Sequence, residues 1–166
     1  MIALEEISRV CGSTGLSVEA HNSLGVGHIY EKGTEEQRKK YLPKLLHGEA
    51  IAAWALTEPN AGSDAANLQT TAVLDGDEWI LNGTKQFITS GDIATITTVM
   101  AKTDKSLGAK GISAFIVEKD TPGFTVGVLE DKLGLRGSRT AELILEDCRI
   151  SKDHLLGEKN LGFVGA

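Results

Sequence analysis

The chain has 166 residues, a formal net charge of −6 and a 41% share of hydrophobic side chains, which is enough for one good-sized domain, or pieces of two, around a packed core. The acidic balance argues against a general nucleic-acid binder, which needs a clustered basic face; Arg38-Lys39-Lys40 is the only run of three basic residues and reads as a solvated helix face. Cys11 and Cys148 are too distant and too unlike in setting for a metal knuckle or disulfide framework, so a reducing compartment is expected, and no apolar run approaches a membrane span or signal core.

Ile2, Leu4, Ile7 and Val10 fall near helical spacing, so the chain opens as if already inside a helix, which Gly12 and Gly15 should interrupt. Leu16 to Tyr30 predicts a mostly buried helix with a break around Gly25 and Gly27. His21 and Asn22 within it fit packing roles better than catalysis. Thr34-Glu35-Glu36-Gln37 is a capping box, in which the threonine oxygen takes a free amide proton and the glutamine reaches back. The helix it starts should run from Glu35 to about Leu46 on a stripe of Tyr41, Leu42, Leu45 and Leu46, with a kink or restart at Pro43 and an end at Gly48.

At Ala52 to Asp64 the character changes. A short apolar segment runs into Glu58-Pro59-Asn60-Ala61-Gly62-Ser63-Asp64, where proline favours a turn and small polar residues permit close approach to a ligand. Beyond it the pattern is β. Strands are expected over Leu68 to Leu74, Glu78 to Leu81, Lys85 to Thr89, Ile93 to Lys102, Gly111 to Glu118, Phe124 to Leu129 and Ala141 to Ile150. Asp75-Gly76-Asp77 and Ser90-Gly91-Asp92 should be turns, and Asn82-Gly83 carries the strongest hairpin signal. The fold class is thus α+β: helices of an all-α domain, then an antiparallel β-barrel or sandwich. No Rossmann or Walker glycine pattern is present.

Several of these segments, in this order, resemble the acyl-CoA dehydrogenases. They are Lys44 to Glu49, Ala53 to Asp64, Asn82 to Gly91, Ile112 to Lys119, Lys132 to Ser138, Leu145 to Ile150 and Leu155 to Gly157. The resemblance covers nearly the whole chain. It implies that residues 1–51 close an N-terminal helical domain, 52–157 form the middle β domain, and 158–166 enter a C-terminal helical domain, the chain being a segment of a longer protein. It also implies FAD, bound between the β domain and the C-terminal helices. Leu56 and Thr57 match positions that meet the flavin ring, and Gly62 and Ser63 match small residues beside the pyrophosphate. Phe87, Ile88 and Thr89 match a second flavin motif, with Phe87 where the family often has tryptophan and Thr89 where a hydroxyl meets flavin N5. Trp54 stands near the flavin edge or, equally, in the core. Ser63 would also border the pantetheine arm of the substrate, while Lys110 either meets the CoA phosphates or is simply solvated. Arg139 departs from the family, which commonly has an acidic or small polar residue there.

The implied reaction is α,β-dehydrogenation of an acyl-CoA to the trans-2-enoyl-CoA, as in fatty acid β-oxidation. A glutamate removes the pro-R α-proton while hydride passes to the flavin. That base is expected beyond Ala166, so no catalytic residue is assigned here, and Glu58 reads as structural. Ala20 to Ile29 would floor the acyl pocket, and the look of the motifs suggests short or branched acyl chains. An electron transfer flavoprotein is the implied acceptor and a homotetramer or homodimer the implied assembly, in a bacterial cytoplasm or a mitochondrial matrix. An acyl-CoA oxidase or flavin monooxygenase of the same fold, or a cofactor-free β-barrel binding module, are the competing readings.

Overall fold

The computed structural model describes residues 1–165; Ala166, the last residue of the expected C-terminal segment, lies outside them. Helix α1 spans Ile2–Val10 and α2 spans Gly12–Glu19. The break between them falls on Cys11, which is extended (φ −147°, ψ 103°), whereas Gly12 opens α2 and Gly15 is buried within it. The expected interruption at Gly25 and Gly27 does not occur. A π-helical stretch, Ala20–Val26, carries the chain from α2 into α3 (Gly27–Lys32), with helical dihedrals at Val26 and Gly27. The wider turn brings Gly25 against Ala52, where a Cβ would lie 2.5 Å from the Ala52 Cβ; close approach, not helix breaking, is what this glycine serves.

Helix α4 spans Glu35–Leu46 and has the expected capping box: Thr34 Oγ1 accepts from the Gln37 amide at 3.2 Å, and Gln37 Oε1 accepts from the Thr34 amide at 3.0 Å. Pro43 does not make it restart. It sits in the last turn on the exposed side, costs only its own amide bond, and its carbonyl still accepts from His47. Gly48 then takes a left-handed backbone (φ 73°) and ends the helix.

The sheet has eight strands: β1 (Ala52–Ala55), β2 (Thr71–Asp75), β3 (Glu78–Thr89), β4 (Ile96–Lys102), β5 (Ile112–Glu118), β6 (Phe124–Leu129), β7 (Thr140–Ser151) and β8 (Leu155–Leu156). Their order is β6-β7-β3-β2-β4-β5-β8, with β1 beside β4. Pairing is antiparallel except where β4 meets β1 and the first residue of β2, both parallel. Asn82-Gly83 is not a hairpin. It lies inside the long β3, opposite a bulge of β7 at Glu146-Asp147, and the real hairpin is β2–β3, turning at Gly76-Asp77. Gly83 (φ 153°) is there because Thr70 packs on it; a Cβ would lie 2.4 Å from Thr70 Oγ1. Asn82 instead bonds Asp147 of β7 through its side chain.

Alternation sorts the strands into two cores. Ala53, Ala55, Trp79, Leu81, Val99, Phe115, Val117, Leu143 and Ile150 meet inside the curled sheet, where Trp79 and Phe115 pack edge to face at 5.1 Å. Ala52, Ile96, Met100, Ile112 and Ile116 face the other way, against Val26, Ile29, Tyr41 and Leu45 of the helices. With both faces covered, β4 and β5 are buried almost throughout and show no polar alternation.

Candidate functional site

The site starts where β1 leaves the sheet. Leu56 and Thr57 are half-buried, and Glu58 then turns inward. Paired bonds between Glu58 and Ala61 (3.0 and 3.1 Å) close the turn over Pro59-Asn60. The Glu58 carboxylate accepts from the amides of Gln69 and Thr70, from the Thr70 hydroxyl, and from Lys85 Nζ at 2.7 Å. Lys85 has no exposed side-chain surface, and its ammonium also donates to the Leu56 carbonyl at 3.1 Å. One residue on, the Gln86 amide donates to the Thr57 carbonyl at 2.8 Å. These bonds join the Leu56–Ser63 loop to the far end of β3.

Burial pulls the Lys85 ammonium down to about 8, against the opposing pull of the Glu58 charge. Burial also pushes Glu58 upward, but Lys85, the Thr70 hydroxyl and the Gln69 amide outweigh it and hold the carboxyl below its ordinary value. Glu58 is therefore an ionised structural anchor, as its sequence context suggested. Lys85 shares the inward parity of Trp79 and Leu81, but the turn expected at Asn82-Gly83 splits β3 between them, and a lysine carries no apolar signal of its own.

Beyond Gln86, Phe87 takes a left-handed backbone (φ 60°) and exposes 56% of its surface, Ile88 drops into the inner core, and Thr89 is half-buried. The turn after Thr89 is closed by the Ser90 amide bonding the Arg139 carbonyl at 2.8 Å, and by Arg139 Nε on Asp92 at 2.6 Å. The departure at Arg139 thus has a local role in this chain. Gly62 and Ser63 are exposed at the loop tip; Gly62 has no positive φ, and a Cβ there would meet nothing within 4 Å. Lys110 is exposed on the turn Lys105–Gly111, which touches the turn Ala65–Asn67 just past Ser63. Trp54 lies on the other side of β1, stacked on His28 at 5.8 Å within the helix–sheet core, its indole N–H buried without a partner. His21 is a clip: Nδ1 accepts from the Ala52 amide at 3.1 Å and Nε2 bonds the Leu45 carbonyl at 3.3 Å.

These features fit a flat aromatic ligand with an anionic tail. Phe87 offers an exposed ring on strained backbone, Thr57 and Thr89 offer hydroxyls, and the Gly62-Ser63 tip can be approached closely by an anion. Among the described residues no group of acidic, histidine or cysteine side chains could hold a metal ion, and no helix is long and apolar enough to cross a membrane.

Residues 1–49 match the acyl-CoA dehydrogenase N-terminal domain and residues 53–148 the acyl-CoA dehydrogenase middle domain. A short-chain specific acyl-CoA dehydrogenase of Clostridium acetobutylicum is 50% identical over 98% of this chain and 43% of its own length; the mitochondrial short-chain specific enzyme of Homo sapiens is 52% identical over 98% and 39%. A chain solved in a study of the electron transferring flavoprotein of Acidaminococcus fermentans superposes with a TM-score of 0.97 at 53% identity, covering 98% of this chain and 43% of that one. The chain spans about two fifths of the length of the curated relatives it matches. With a family model covering most of the sheet and half-identical relatives along nearly all its residues, this chain belongs to the acyl-CoA dehydrogenase family.

Proposed function

We propose that the full-length protein is an FAD-dependent acyl-CoA dehydrogenase for short acyl chains, and that this chain supplies the wall against which the flavin lies. The observation that carries this is the bond from the Gln86 amide to the Thr57 carbonyl, which joins residues 29 positions apart and brings their two motifs into one surface. On that surface Leu56 and Thr57 offer backbone and hydroxyl contacts to the ring, Phe87 an aromatic wall backed by Ile88, and Thr89 a hydroxyl for the reacting edge. Gly62 and Ser63 receive the pyrophosphate, and Ser63 also borders the pantetheine arm. Lys110, on the neighbouring turn, meets the CoA phosphates. Trp54 supports the site from the helix–sheet core. FAD, when bound, supplies the hydride acceptor.

What these residues do is bind and orient; none of them takes the α-proton. Glu58, the carboxylate in the loop, is held by Lys85, Thr70 and Gln69, so the base is assigned to a residue outside this sequence. The short-chain specificity of both curated relatives supports a short acyl substrate. The matching chain from the electron transferring flavoprotein study supports such a flavoprotein as electron acceptor. A homotetramer or homodimer is the assembly this reading carries, in a bacterial cytoplasm or, like the human relative, in mitochondria.

The test is anaerobic addition of butyryl-CoA to the purified full-length protein. The reading expects a yellow protein whose flavin absorbance bleaches, with slow reoxidation by oxygen. A colourless protein that takes up no added FAD would leave a plain β-barrel binding module, and fast reoxidation would leave an oxidase.

A further inference from the structure

The Glu58–Lys85 pair lies directly behind the surface that carries Leu56, Thr57 and Phe87, yet no step of the proposed chemistry uses it. Lys85 is fully buried and Glu58 nearly so. Stability alone explains such a pair poorly, because well-packed apolar residues of similar volume commonly serve a fold as well or better. An apolar pair would not, however, hold the Leu56 carbonyl. Lys85 Nζ reaches that carbonyl at 3.1 Å and Glu58 at 2.7 Å, while the next amide, Gln86, holds the Thr57 carbonyl. Leu56, Thr57 and Glu58 are thereby tied in sequence to Lys85 and Gln86, immediately before the left-handed Phe87. Glu58 passes the anchorage on to Thr70 and Gln69 at the entry to β2, so the loop is referenced to the rigid sheet as well as to β3.

We infer that Lys85 and Glu58 are positioning residues for the flavin: the buried pair fixes the Leu56–Thr57 backbone relative to Phe87 and Thr89, and so sets the width and register of the cofactor surface. This rests on the flavoenzyme reading above. Neither residue touches the cofactor; both act through the Leu56 carbonyl and the loop that follows.

The test uses the full-length protein with Lys85→Met, Glu58→Gln and the double variant, reading thermal unfolding, FAD affinity by flavin fluorescence, and amide exchange of the FAD-free form. Lys85→Met strands a buried carboxylate, so both melting temperature and FAD affinity fall. The double variant has no unpaired charge, and it keeps the test open even where a single variant does not fold. It recovers most of the melting temperature, yet its FAD affinity stays weaker by about tenfold or more, because the loop is no longer held in place. In the same variant the amides of Gln86 and Ala61, which bond the loop carbonyls of Thr57 and Glu58, exchange faster than in the parent. A double variant that binds FAD to within about twofold of the parent and keeps both amides protected overturns the inference, leaving the pair merely structural. A parent protein that binds no FAD overturns the flavoenzyme reading instead, and this inference with it.

Discussion

Phe87 combines two features that cost stability, a left-handed backbone on a bulky residue and an aromatic ring more than half exposed. Among the described residues Phe87 belongs to neither apolar core, so no burial offsets these costs. Phe87→Gly should relieve the backbone and raise the unfolding free energy of the FAD-free protein by about 1 kcal/mol in urea titrations. The same variant should bind FAD more weakly, because the aromatic wall is gone; stability and cofactor affinity would move in opposite directions. The two cysteines differ sharply in reactivity. Cys11 is exposed at the start of α2, and hydrogen bonds from the Thr14 hydroxyl and amide lower its thiol pKa. Cys148 is buried in the sheet core, and burial pushes its thiol up to about 11. At pH 8 the thiolate fraction of Cys148 is on the order of 0.1%, before shielding is counted. Iodoacetamide followed by mass spectrometry should therefore mark Cys11 quickly, and Cys148 only after denaturation.

Helix α4 shows how an element is seated on the sheet. Gln37 completes the capping box with its oxygen and spends its side-chain nitrogen on the carbonyls of Asp153 and Leu155, at 2.8 and 3.0 Å. One turn later, Lys40 and Tyr41 both donate to Glu118 at the end of β5. Those bonds, from Lys40 first and Tyr41 second, lower the Glu118 pKa while burial opposes them, and the carboxylate stays nearly half exposed. A carboxyl lowered on folding contributes stability above its ordinary range and loses it as pH falls through the lowered value. Glu118→Gln should accordingly cost under about 1 kcal/mol at neutral pH, less in high salt, and the difference from the parent should vanish toward acid in denaturant titrations. The same helix shows which local signals survive into the fold. The capping box is chemistry between neighbours, so tertiary context left it unchanged. Asn82-Gly83 is equally local, but its residues serve a long strand: Thr70 needs the space at Gly83, and Asp147 takes the Asn82 side chain. Pro43 and Gly25 leave their helices unbroken for a related reason, since each is tolerated by a helix whose stability comes from packing rather than from propensity.

Across the whole molecule, the change from helical to β periodicity near Ala52 marked the place where two architectures meet, and the structure sets the helices against the sheet there. The loop and strand motifs of the candidate site could be found in the sequence because small residues, a proline and hydroxyls cluster in them. Lys85 could not, because its burial depends on an unbroken β3 across Asn82-Gly83 and on a partner 27 positions away. The junction itself is narrow. Gly25 of the π-helical stretch meets Ala52, whose amide is held by His21, and His21 is tied in turn to the Leu45 carbonyl of α4. An added methyl at Gly25 would come to 2.5 Å from the Ala52 Cβ and 2.9 Å from its carbonyl carbon, and backbone held on both sides cannot step aside easily. β1 passes from Ala52 straight to Leu56 and Thr57, so a wedge at its start displaces the cofactor loop as well as the helices. Gly25→Ala should therefore lower stability by about 1–3 kcal/mol and weaken FAD binding together. Urea unfolding and flavin titration of one variant check both, and a loss of stability with unchanged FAD affinity would mean that the helices alone absorb the wedge.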